Sequence, residues 1–294
     1  MKKTVLIIYN PKAGKNGASH MLPYVVQRLR QRDCRCIAYP TMDGFGAEEI
    51  MAYEKGKFDY IVCCGGDGSL NHTINGIMQL QERPQLIYLP TGSTNDFAQS
   101  LGLSKDIETA CSKIENTQPF YYDIGKFNNT YFNYVAAFGA FTKVPYTTSQ
   151  VLKNQLGHAA YIIEGIRHIP IGQYHTATVI SEDRVYYGDY IYCSVSNSTS
   201  IGGMSVPVKD EISMNDGLFE VFLIKAPKTV MDVQGIITAI ATQNFDNKYI
   251  TYFKTRNVKF EFREETPWTL DGEFGGDVKS VNISVINKAI GILK

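Results

Sequence analysis

Four apolar runs, Thr4–Tyr9, Cys36–Tyr39, Phe58–Cys64 and Gln85–Leu89, are separated by stretches whose apolar residues recur at helical spacing. This alternation constrains the folds open to residues 1–125 more than any other feature. Leu22, Val25, Val26 and Leu29 share one helical face, and Leu70, Ile74, Ile77 and Met78 share another. An unbroken apolar run is buried on both faces of its sheet, the habit of parallel strands joined by helical crossovers. Those crossovers should be right-handed.

After Asp123 the period changes. ATVISEDRVYYGDYIYCSV reads as two strands around a polar turn near Ser181–Arg184, and in NVKFEFREE Val258, Phe260 and Phe262 alternate with Lys259, Glu261 and Arg263. LFEVFLI and VNISVI add further strands, and helical patterns interrupt near Val151–Arg167 and Thr229–Gln243. The expectation is an α/β domain with a largely parallel sheet over residues 1–125, then a mainly antiparallel β-sandwich over 126–284. A tail at about 285–294 is expected to return to the first domain. Ten Phe or Tyr between Phe120 and Tyr146 either pack the second core or wall a cleft.

The glycine loops carry the chemistry. CCGGDGSLNHTING, residues 63–76, follows a strand and opens a helix, where an open α/β sheet binds ligands. A helix start offers free amides and partial positive charge to a phosphate, and glycines let it approach. Asp67 would repel that phosphate unless Mg²⁺ came with a nucleotide; otherwise it is a helix cap. YNPKAGKNGA follows the first strand with Asn10, Gly14 and Lys15 but lacks Walker A spacing. LPTGSTNDFAQSLG follows the fourth with Gly92, Ser93, Thr94, Asn95 and Asp96, the last also a natural cap. Three such loops at three strand ends exceed what turns require.

Composition excludes other classes. Lys+Arg and Asp+Glu are both 29, which argues against a broad basic surface for nucleic acid. No apolar stretch reaches the ~18–20 residues of a membrane helix, and MKKTVLIIYN makes a poor signal peptide. The six cysteines are spaced for neither zinc nor a disulfide scaffold, as expected of reduced thiols in the cytoplasm.

NPKAG, GGDGSLNHTINGI, PTGSTNDFAQSLG, NSTSIGGMSVPVKDEISMNDGLFEV and LDGE occur in the order of the soluble diacylglycerol kinase/lipid kinase family, which the chain resembles from Asn10 nearly to its end. Sphingosine and ceramide kinases belong to the same family. GGDG alone is shared with NAD kinases and phosphofructokinases, and the resemblance implies their type of sheet. It implies that Asn10, Pro11, Lys12, Ala13 and Gly14, with Gly65, Gly66, Asp67, Gly68, Ser69 and Thr94, cradle the phosphates of ATP. Thr41 and Asn71 are implied nucleotide contacts. Asp67, Asp96 and Asp123 would be linked through water to a catalytic Mg²⁺, and Glu273 would be the general base. Asp216, with the carbonyls of Ser213 and Leu218, would hold a second, structural Mg²⁺. His72 departs from the glutamate common in relatives and puts one nucleotide contact in question.

The resemblance thus implies an ATP-dependent lipid kinase with peripheral access to a membrane, with diacylglycerol first among acceptors and phosphatidic acid as product. A kinase for a soluble substrate, like the NAD kinases, and a non-catalytic nucleotide or lipid sensor are the alternatives. A homodimer is left open.

Overall fold

The computed structural model describes residues 3–13, 17–92, 95–104, 106–139, 172–197, 200–201, 204–205, 213–242, 244–245 and 247–294. The helix expected near Val151–Arg167, together with Gly14, Lys15, Ser93 and Thr94, lies outside the described residues. The chain divides into two compact units. Unit 1 is Met1–Ile124 with Tyr131–Asn133 and Asn287–Lys294; unit 2 is Gly125–Thr130 with Tyr134–Ile286. The short piece Tyr131–Asn133, expected with the second domain, groups with the first.

Unit 1 alternates strand and helix. It runs β1 (Lys3–Tyr9), α1 (Gly17–Gln31), β2 (Cys34–Pro40), α2 (Ala47–Glu54), β3 (Tyr60–Gly65), α3 (Asp67–Gln79), β4 (Gln85–Pro90), α4 (Asp96–Ser100) and α5 (Ile107–Asn116). The strand order is β2-β1-β3-β4 and each of these pairings is parallel, with Ile7 opposite both Ala38 and Val62, and Val62 opposite Ile87. Val5, Leu6, Ile7 and Ile8 are all buried, as an unbroken apolar run demands of a strand covered on both faces. Val5, Ile7, Val62, Ile87 and Leu89 pack with Val25 and Leu29 of α1 and Cys111 of α5. The last residues of the chain complete this sheet: Ile292 pairs parallel with Leu86, and Leu293 joins the same core.

The strands that follow are β5 (Phe120–Phe127), β6 (Thr130–Phe132), β7 (Val135–Gly139), β8 (His175–Ser181), β9 (Val185–Ser196), the short β10 (Ser200–Ile201) and β11 (Met204–Ser205), and β12 (Phe219–Lys225). Then come α6 (Val230–Ala241), β13 (Ile250–Thr255), β14 (Asn257–Leu270) and β15 (Glu273–Ile292). Strands β5 and β15 contribute to both units.

In unit 2 the pairings of β7, β8, β9, β12, β13 and β14 with one another are antiparallel. A sandwich was the expectation; the hydrogen bonds instead close a ring. β8 pairs with β9 and β14, and β7 pairs with the far ends of the same two strands. The change of partner along β9 falls at Ile191: Tyr190 faces His175 of β8, and Tyr192 faces Gly139 of β7. On β14 it coincides with register shifts between Glu261 and Thr266. Ring closure removes free edges from these strands. Its centre is aromatic, with Phe138 at 4.9 Å from Trp268 and 5.1 Å from Phe262, and Phe260 at 5.1 Å from Trp268. Helix α6 begins at a reciprocal cap, Thr229 Oγ1 accepting from Asp232 N and Asp232 Oδ2 from Thr229 N. It packs Ile236, Ala239 and Ile240 onto Phe222, Ile224 and Ile250.

The corner depends on a glycine. Gly139 has φ +100, and a Cβ there would stand 2.2 Å from the Ile191 carbonyl oxygen. Gly139→Ala combines left-handed strain of about 1–3 kcal/mol with overpacking of similar size. It should therefore lower stability by roughly 2 kcal/mol or more. Urea unfolding checks this, and an unchanged midpoint would show that the corner accommodates a side chain.

Candidate active site

The first residues after β1, β2 and β4 each bond to the end of a neighbouring strand, which brings these loops to one end of the unit 1 sheet. Asn10 N donates to Cys64 O (3.0 Å), Thr41 N to Tyr9 O (2.9 Å) and Thr91 N to Gly65 O (2.9 Å). Asn10 also closes its own turn, its Oδ1 accepting from Lys12 N (2.9 Å) and its carbonyl from Ala13 N (3.1 Å), so Pro11, Lys12 and Ala13 are folded back over it.

Helix α3 begins at Gly66, in extended backbone, and its first intrahelical bond is Leu70 N to Gly66 O. The amides of Asp67, Gly68 and Ser69 come before that ladder and are available to an anion. The glycines have a second use. A Cβ on Gly92 would lie 2.6 Å from the Gly66 Cα, and one on Gly65 would lie 2.3 Å from the Ser69 Cβ. Gly66 and Gly92 therefore let the β3 and β4 loops touch. Much of the room that the glycines suggest for a ligand is taken by protein.

That contact brings two carboxylates together. Asp67 Oδ2 accepts from Asp96 N (3.0 Å), with the amides of Phe97 and Asn95 also favouring its charge. Burial outweighs these amides and raises the Asp67 pKa. Asp96 is pushed up to about 6, by burial first and then by the charge of Asp67. Asp67 Oδ1 and Thr91 Oγ1 are buried with no hydrogen-bond partner among the described residues. Neighbouring carboxylates in this state favour a divalent cation over solvent-excluded emptiness.

Asn95, named in the loop but given no role by sequence reasoning, holds this geometry. It is buried in the left-handed region at φ 54, with Oδ1 accepting from Gly92 N (3.0 Å) and Nδ2 donating to Gly92 O (2.6 Å). An Asn immediately before a helix, tolerant of positive φ, was the available signal.

Other expected groups are engaged elsewhere in unit 1. Asn71 and Asn75 grip the backbone of Tyr131: Asn75 Nδ2 donates to Tyr131 O (3.0 Å), Tyr131 N donates to Asn75 Oδ1 (3.0 Å), and Asn71 Nδ2 lies 3.5 Å from the same carbonyl. Asp123 is fully buried, and its Oδ1 accepts from Asn287 Nδ2 (2.9 Å) and Lys288 N (2.6 Å), fixing the returning C-terminal residues. His72 is exposed and sits 3.2 Å from Glu48 of α2.

In unit 2, Asp271 and Gly272 form the two-residue turn between β14 and β15, and Glu273 follows on the strand, exposed. Asp216 Oδ1 accepts from Leu218 N (3.0 Å), and Ser213 Oγ donates to Asn215 Oδ1 (2.9 Å), so protein groups close the NDG turn. Sequence reasoning missed Glu220, fully buried two residues on and 3.4 Å from Lys254 Nζ. Burial raises its pKa to about 7 against the pull of Lys254. Among the described residues no three His, Cys, Asp or Glu converge as a metal cluster, and no helix is long and apolar enough to cross a membrane.

Residues 4–127 match the family described as the diacylglycerol kinase catalytic domain. The chain is 31% identical over 278 residues to the diacylglycerol kinase of Bacillus subtilis, covering 93% of this chain and 91% of the relative. It is 32% identical over 279 residues to that of Staphylococcus haemolyticus, covering 94% and 84%. The crystal structure of a diacylglycerol kinase from Bacillus anthracis shares the fold at a TM-score of 0.75, with 21% identity and coverage of 99% and 96%.

The raised carboxylates predict a pH effect. Asp96, lifted from its ordinary 3.8 to about 6, contributes stability that is complete below about pH 4 and is lost as pH rises through about 6. Asp96→Asn cannot ionise, so in metal-free buffer the wild-type melting temperature should fall relative to the variant between those limits. A divalent cation at pH 7 should restore the wild type alone. Parallel curves for the two proteins would show that the Asp96 carboxyl is not raised in the folded chain.

Proposed function

The chain belongs to the diacylglycerol kinase family, and we propose that it transfers the γ-phosphoryl group of ATP to the hydroxyl of diacylglycerol, giving phosphatidic acid. That it is a lipid kinase follows from the family; the donor and acceptor are the proposed part. The observation that carries the proposal is the buried Oδ1 of Asp67, without a hydrogen-bond partner among the described residues, beside Asp96 and at the start of a helix whose first amides precede its hydrogen-bond ladder.

This donor set fits a divalent cation of the Mg²⁺ type, which takes one or two carboxylates and completes its shell with phosphate oxygens and water. When bound, such a cation neutralises charge on the phosphates. Asp67 and Asp96 would hold it. The amides of Asp67, Gly68 and Ser69 and the Asn10–Ala13 turn bind phosphate oxygens, and Thr41 contacts the nucleotide. The acceptor oxygen forms its bond to the γ-phosphorus as the bond to the departing ADP breaks, and Glu273 takes the hydroxyl proton. The transition state is loose, so placement and electrostatics carry most of the rate. Asp123, also implied near the cation by the resemblance, anchors residues 287 and 288. The second cation suggested at Asp216 fits less well. Among the described residues Asp216 Oδ1 already accepts an amide, and the nearby carboxylate, Glu220, has a lysine beside it; no step depends on it.

Transfer of label from γ-labelled ATP tests the proposal, with diacylglycerol, monoacylglycerol, a sphingoid base and a prenyl alcohol in mixed micelles and NAD in solution. Labelled phosphatidic acid is the expected product, and Asp67→Asn should abolish it. Glu273→Gln should lower kcat by about 10²–10⁴-fold, toward the smaller figure because the transition state is loose, with the KM for ATP unchanged. Label in another acceptor but not in diacylglycerol would overturn the substrate. A loss of less than about threefold in Glu273→Gln, far below a general-base contribution, would remove that residue from the mechanism.

A further inference from the structure

Glu273 has no hydrogen bond or ion pair from its side chain among the described residues, and it is exposed. Its position is therefore set by its main chain. Leu270 pairs with Glu273 across the turn, and the two residues between them, Asp271 at φ 52 and Gly272 at φ 90, both have the positive φ of a type I′ hairpin. Such a turn fixes Glu273 relative to β14, whose last residue, Leu270, pairs with Ala136 of β7.

Asp271 carries that attachment past Leu270 to the tip itself. Only 4% exposed, it directs Oδ1 onto two successive amides at the start of β7, Tyr134 N at 2.9 Å and Val135 N at 3.0 Å. Its own amide donates to Val135 O at 2.8 Å. The β7 end is held from its other side, where Asn197 N donates to Tyr134 O (2.9 Å) and Val135 faces Ser196 of β9. The tip is thus bonded by three hydrogen bonds to a strand inside the closed ring. Two of them are charge-assisted, the stronger kind.

We propose that Asp271 is a positioning residue for the phosphoryl transfer: its carboxylate locks the hairpin tip to β7 and so holds Glu273 where the acceptor hydroxyl is deprotonated. This rests on Glu273 being the base. The partners shown for its carboxylate are the main-chain amides of Tyr134 and Val135, and its effect passes through the residue two positions on.

The test is a double-mutant cycle. Asp271→Gly keeps a turn residue suited to positive φ and keeps the amide bond to Val135 O, but loses the carboxylate. Asp271→Asn keeps an oxygen for both amides. In the Glu273 background, Asp271→Gly should lower kcat for diacylglycerol by about 10- to 100-fold, the scale of a misplacement near 1 Å, with the KM for ATP unchanged. Asp271→Asn should recover most of that loss. In the Glu273→Gln background, Asp271→Gly should cost less than about twofold, because residues acting as one unit are non-additive. Gly272→Ala moves the same tip without touching Asp271, since no atom lies within 4 Å of a Cβ there but φ is strained. It should show the same coupling, and it carries the test if Asp271→Gly fails to fold. Equal losses in both backgrounds, or wild-type kcat in Asp271→Gly, would overturn the positioning role while leaving Glu273 as base. Wild-type kcat in Glu273→Gln would overturn both.

Discussion

A methyl group on Gly92 would stand 2.6 Å from the Cα of Gly66, so the loops that leave β3 and β4 touch through bare backbone. Nothing larger than glycine permits this approach. Because the loops touch, Asp96 N reaches Asp67 Oδ2, and the starts of α3 and α4 are joined. Asn95 then locks the second loop by bonding both the amide and the carbonyl of Gly92. The carboxylate pair, the available amides of α3 and the fit to a cation all follow from this one steric allowance. The glycines serve packing first, and through packing they serve chemistry.

The pair is held against its own repulsion. Burial disfavours ionisation of both acids and the charge of Asp67 adds to this at Asp96, while three amides favour the charge of Asp67. Such a site is stable when protonated or when it holds a cation, and least comfortable when empty and charged. That tension is common at functional sites, and here it has a geometric cause. Cys63 just upstream is fully buried, with its thiol pushed up to about 12, so it brings no competing negative charge to the same edge.

The sequence made the unit 1 strands legible because a strand covered on both faces must be apolar at each position, as Val5 to Ile8 are. The hairpin at Ser181–Arg184 was legible from its polar turn, and Ser181 N does donate to Arg184 O (2.9 Å). The ring in unit 2 was not. Alternation tells which side of a strand is buried but not which strands are its neighbours, and closure depends on corners such as Gly139 against Ile191. The loops of the candidate site could be read as motifs, whereas the partners of their polar groups could not. Asp123 meets Asn287, 164 positions away, and Asn75 meets Tyr131, 56 positions away. Separations of that size leave no periodic trace. Asn95 and Asp271 were given no role for a related reason: each looks like an ordinary turn residue until its side-chain partners are known.

The return of residues 287–294 to unit 1 bears on how the protein is made. A ribosome delivers the first 124 residues well before these last ones, and domains made in that order commonly fold as they emerge. Here early folding cannot be completed. Leu86 lacks its neighbour Ile292, the core of Val5 and Ile7 lacks Leu293, and Asp123 lacks Asn287 and Lys288 until all of unit 2 has been synthesised. During translation the nascent unit 1 therefore carries an open sheet edge. Such a chain has reason to engage a chaperone, and a stalled or prematurely terminated product would be a ready target for proteolysis even with every residue of the glycine loops in place.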